Sequence, residues 1–115
     1  MTNYYPELNQ RILEMSEGDD EFREELTQAI YKGLIELKQI YSEGTIERDI
    51  VKIQQIRHKL KPTLSMFDFD LLTENLQKGK ELLESSGFEG EFEVHFKDFI
   101  EKVDLAIQEV ENLPK

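Results

Sequence analysis

Apolar residues recur along this chain at every third or fourth position, and nowhere do they alternate as in a strand. Leu8, Ile12 and Met15 make a first short stripe, opened by Pro6, since proline is tolerated at the first helical position. Gly18-Asp19-Asp20 interrupts it, and an Asp there can cap the next helix. A longer stripe follows over residues 20–42, through Phe22, Leu26, Ala29, Ile30, Leu34, Leu37 and Tyr41. Ser42-Glu43-Gly44-Thr45 reads as a turn, with Thr45 as N-cap of a helix that carries Ile46, Ile50, Ile53, Ile56, Leu60, Leu64 and Phe67. That helix ends near Phe67-Asp68-Phe69-Asp70, where an Asp can adopt left-handed geometry or cap its successor. Leu71, Leu72, Leu76, Leu82 and Leu83 mark a further helix, which Ser85-Ser86-Gly87 closes. The last stripe holds Phe92, Phe96, Phe99, Val103, Ala106, Ile107 and Val110, and Pro114 stops it.

The pattern predicts an all-α fold, an antiparallel four-helix bundle with a short additional N-terminal helix. The 115 residues suit a single domain spanning 1–115. The formal charge is −11, from 25 acidic and 14 basic residues. Such acidity argues against nucleic acid, which needs a basic face, and against an anionic membrane surface. There is no cysteine, which removes thiolate chemistry and Cys-ligated metals. No apolar run approaches the roughly 20 residues needed to cross a bilayer. Met1 to Glu7 lacks the basic start and apolar core of a secretory signal, so a cytoplasmic protein is expected. The starting Met and short ends favour a free-standing protein. No cofactor is implied. A carboxylate-bridged metal bundle fits poorly, because it needs Glu-x-x-His pairs on facing helices, whereas Glu91 and His95 stand four apart without a counterpart.

His58 departs from this plain helical reading. With roughly 100° of turn per residue, it lies about 150° from the centre of its helix's apolar face. Its neighbours on the wheel are Val51, Gln54, Gln55, Lys61, Pro62 and Ser65. It should therefore point outward from mid-helix, and that position also suits an ordinary solvated histidine. From Ile50 to Phe67 there is no Asp or Glu, where the chain's average would place about four, yet Lys52, Arg57, Lys59 and Lys61 are present. The helix is thus locally cationic and can attract an anion. Complementing the helix dipole explains Lys61 well but leaves the long acid-free stretch unexplained. Lys61 is one turn beyond His58 on the same side, where its ammonium can reach oxygens of a group carried by the imidazole. A neutral imidazole is a nucleophile near neutral pH and can hold a phosphoryl group. His95, beside Phe92, Phe96 and Phe99, sits at the flank of its stripe and reads as a structural boundary residue. Tyr4 and Tyr5 carry no signal.

Around His58 the chain resembles the histidine-containing phosphotransfer (HPt) domain of bacterial multistep phosphorelays. The family motif His-x-Leu-Lys, usually followed by Gly, reads here Arg57-His58-Lys59-Leu60-Lys61-Pro62. Residues 13–22, with Gly18-Asp19 ahead of the long helix, are similar to the family's N-terminal segment, and Leu71 to Leu76 fit the helix after the phosphorylated one. The likeness covers residues 8–110. It implies a phosphocarrier, not an autonomous kinase. His58 would take a phosphoryl group from a receiver-domain aspartate and pass it to another, while Lys61 steadies the oxygens. The partners implied are response-regulator receiver domains and a hybrid histidine kinase, approaching a monomer through Val51, Gln54, Gln55, Pro62 and Ser65. An adaptor that docks receivers without carrying phosphate is the alternative. Two positions depart from the family pattern. Pro62 replaces the glycine after the lysine and cannot donate to the His58 carbonyl, which should bend the helix. Asp68 stands near the second common glycine, and Asp tolerates the left-handed turn.

Overall fold

The computed structural model describes residues 5–113, which fold into five helices with no strand among them. α1 (Leu8–Ser16) is short and turns its Leu8 and Ile12 inward. Pro6 lies ahead of this helix, not at its first position, in a turn where the Leu8 N–H donates to the Tyr5 carbonyl at 3.2 Å. Glu17 and Gly18 take positive φ and end α1. Asp19 then caps α2 (Asp20–Glu47) by accepting the Phe22 N–H at 3.0 Å, as its position in the sequence implies.

The turn expected at Ser42 to Thr45 does not form. α2 runs straight through it, because Gly44 lies against α3 and not in a loop. A Cβ at Gly44 would stand 2.7 Å from the Ile53 Cγ1, so the glycine permits close helix packing. Thr45 caps nothing, since its hydroxyl donates to the Tyr41 carbonyl at 2.9 Å inside the same helix. The reversal falls instead at Arg48, with φ 56°, and Asp49 caps α3 (Ile50–Met66) by accepting the Lys52 N–H at 3.1 Å. Two residues assigned to the core are consequently outside it: Ile46 is 79% exposed and Ile50 41% exposed. Near the start of α2, Phe22 is likewise exposed and Leu26 only half-buried.

α3 keeps Ile53, Ile56, Leu60 and Leu64 in the interior and continues through Pro62 to Met66. Asp68 occupies the left-handed region (φ 56°), the first of the two roles open to an Asp at this turn. α4 (Asp70–Ser85) presents Leu72, Asn75, Leu76, Gly79 and Leu82 inward. It closes at the Ser85-Ser86-Gly87 break, where Gly87 has φ 75°. α5 (Glu91–Glu111) buries Phe92, His95, Phe99, Val103, Ala106, Ile107 and Val110. Pro114, the expected stop, lies outside the described residues.

α2 packs on α1, α3 and α5, and α4 bridges α3 to α5, so the buried side chains form one core. Tyr5, silent in the sequence, belongs to it: its ring lies 5.0 Å from that of Phe69 and ties the start of α1 to the α3–α4 turn. Arg11 adds an ion pair from Nε to the Asp68 carboxylate at 2.8 Å. No helix among the described residues is long and apolar enough to cross a membrane.

Candidate functional site

α3 is held by its four inward aliphatic residues, and this anchoring fixes what faces out. His58 lies on the opposite side and is exposed, together with Val51, Gln54, Gln55, Lys61, Pro62 and Ser65. All seven residues therefore share one open face. Neighbours three and four apart on a helix bring their Cβ atoms within about 5–6 Å, so Gln54, Gln55, Lys61 and Pro62 surround the imidazole. Val51 is 59% exposed, leaving an apolar side chain two turns before the histidine.

The cationic character of α3 is smaller than its own residues suggest, because α2 supplies carboxylates. Lys59 Nζ meets Glu36 at 2.7 Å and Lys52 Nζ meets Glu47 at 2.9 Å. The Glu47 hydrogen bond holds Lys52 above the ordinary lysine range. Lys61 has no ion-pair partner among the described residues, so its ammonium remains available next to His58. Arg57 is half-buried on the inner flank, where its charge acts on the Tyr41 phenol.

His95 has the opposite surroundings. It is not at a boundary but sealed inside, 3% exposed. Its Nε2 lies 2.8 Å from the Tyr41 hydroxyl, and its Nδ1 has no hydrogen-bond partner among the described residues. Burial pushes its pKa down to about 4, with the Asp98 charge opposing and Lys78 adding to the fall. The ring is therefore neutral at pH 7 and inaccessible to a visiting protein. Gly79 makes room for the pair, since a Cβ there would overlap the His95 ring and the Tyr41 hydroxyl. One turn away, Asn75 donates to Asp98 at 2.8 Å, and Lys102 donates to the same carboxylate at 3.0 Å. The one sequence signal for this buried layer was a glycine in mid-helix, which often marks close approach of a neighbouring group.

Among the described residues no three His, Asp or Glu side chains gather as metal ligands. No protein-family model, curated protein or solved structure matches the chain.

Proposed function

We propose that the protein is a histidine phosphocarrier of the HPt type. The observation that carries this reading is an exposed imidazole halfway along a packed helix that has no carboxylate of its own, with an ammonium one turn away that makes no ion pair among the described residues. In the transfer, a ring nitrogen of neutral His58 attacks the phosphorus of a receiver's acyl phosphate. The N–P bond forms as the P–O bond to the aspartate breaks. The aspartate leaves as a carboxylate, and the other ring nitrogen of His58 keeps its proton. Lys61 offsets charge on the phosphoryl oxygens, the positioning and electrostatic help that this chemistry mainly requires. The reverse sequence unloads the group onto a second receiver. The kinase and its metal belong to the partners.

The bundle arrangement belongs to the same proposal. Glu36 and Gly33 of α2 meet Lys59 and Leu60, whereas Gly44 meets Ile53. Tyr41 and Lys38 meet His95 and Asp104. Gly79 and Asn75 of α4 meet His95 and Asp98. In each pair the numbering falls along one helix as it rises along the other, which supports α2 to α5 as an antiparallel four-helix bundle with α1 laid against α2. A bundle of this kind presents α3 as a rigid rod to a docking receiver.

The adaptor reading draws on one feature, Pro62 at the position after the lysine, where the family usually has glycine. Incubation with phosphorylated receiver domains separates the two. The carrier acquires an acid-labile, base-stable phosphoryl group on His58, and His58→Gln loses it while its circular dichroism is unchanged. Labelling of His58→Gln as strong as in the parent protein, or tight receiver binding with no label, would sink the assignment.

A further inference from the structure

A concave surface lies away from α3. α1 and the end of α5 both rest on α2, and a cleft of about 560 Å³ opens between the three helices. Half-buried Tyr31 and Leu113 give its floor apolar surface, laid over the nearly sealed Ile12 and Val110. Its rim is acidic, with exposed Asp20, Glu24 and Glu111. Among the described residues the one cation in the lining, Arg23, already approaches Asp20 at 3.9 Å. The surroundings reinforce the sign. From Glu14 to Glu25 seven exposed acidic residues face a single base, a local balance of −6 within the total of −11. Leu13, Met15 and Phe22, near the α1–α2 junction, are exposed as well. A stripe that the sequence pattern assigned to the core is thus left partly uncovered at the start of α2.

We infer that this cleft docks a basic amphipathic helix of a partner protein. Its apolar face would lie on Tyr31 and Leu113, above Ile12 and Val110, and its Lys or Arg residues would meet Glu24, Glu111 and Asp20. An apolar surface rimmed by charge is typical of a protein interaction site, and laying one helix into a groove needs just these two features. A second copy of this chain is a poor occupant, because it would bring the same acidic rim against its twin. A small polyamine would satisfy the rim but not the floor.

The test uses the full chain, ¹⁵N-labelled, and a capped peptide with Leu on one helical face and Lys on the other. A scrambled peptide of identical composition and spermine serve as controls. Amide shifts are expected at Ile12, Tyr31 and Val110 with the amphipathic peptide, with affinity about tenfold above the scrambled one. Glu24→Lys combined with Glu111→Lys should weaken binding about tenfold while leaving the melting curve in place. Equal binding of the scrambled peptide, the same shifts with spermine, shifts confined to other faces, or indifference to the charge reversals would each overturn the inference. The phosphotransfer assay is independent of this surface, and the double reversal should leave labelling of His58 intact.

Discussion

Lys61 and Gly79 are the residues whose replacement says most, and for opposite reasons. Lys61 is exposed and makes no ion pair among the described residues, so the fold does not lean on it. Lys61→Ala is expected to change stability by less than about 0.5 kcal/mol, as exposed substitutions do, while slowing phosphoryl transfer to His58. Single-turnover labelling measures the rate, and an unchanged rate would reduce Lys61 to a surface charge that complements the helix dipole. Gly79 is buried against a polar pair it cannot displace cheaply. Ala favours a helix over Gly by about 1 kcal/mol, but overpacking a core typically costs about 1–3 kcal/mol, and here the added methyl strikes both His95 and Tyr41. Gly79→Ala should therefore lower the urea midpoint, and a raised midpoint would mean that the pair moves aside freely. The outward orientation of His58 was legible in the sequence, because it needs the periodicity of one helix and nothing else. The His95–Tyr41 bond was not, since it joins residues on two helices whose register depends on packing.

At the scale of the element, the same distinction explains which boundaries were readable. Asp19 and Asp68 act through their own local backbone, and both did what their type and position imply. Gly44 looks like a turn residue in one dimension, yet it is a contact residue in three, so the α2–α3 reversal came several residues later than expected. The charge of α3 was half legible for a similar reason: its lack of acids is a property of the strand of sequence, whereas Glu36 and Glu47 reach Lys59 and Lys52 from α2. Pro62 gives a prediction at this scale. Without an N–H it leaves the His58 carbonyl unserved by the helix, at an exposed position where no packing compensates. Pro62→Ala restores that bond and should raise stability by about 1–3 kcal/mol, read as a higher melting temperature. A lower melting temperature would mean that the helix is adapted around the proline.

For the whole molecule, acid should act first through one buried ring. The unfolded chain offers His95 an ordinary imidazole pKa of 6.5, whereas the folded core holds it at about 4. The folded state therefore binds fewer protons, and its advantage is complete above pH 6.5, declines as pH falls toward 4, and then levels off. The full difference corresponds to about 3 kcal/mol, a large share of the stability of a small domain. Asp98 acts later. Burial raises its pKa, but the hydrogen bonds from Lys102 and Asn75 prevail and hold it below the ordinary carboxylate range, so its contribution fades at still lower pH. Net charge works the other way: at −11 the folded chain repels itself, and protonating exposed carboxylates relieves that strain. Urea unfolding between pH 7 and pH 4.5 should accordingly show a steady loss of stability. His95→Gln keeps a hydrogen-bonding side chain that does not titrate, and its profile should be nearly flat over the same interval. A parent profile as flat as the variant's would show that the His95 ring takes up its proton in the folded core as readily as in the unfolded chain.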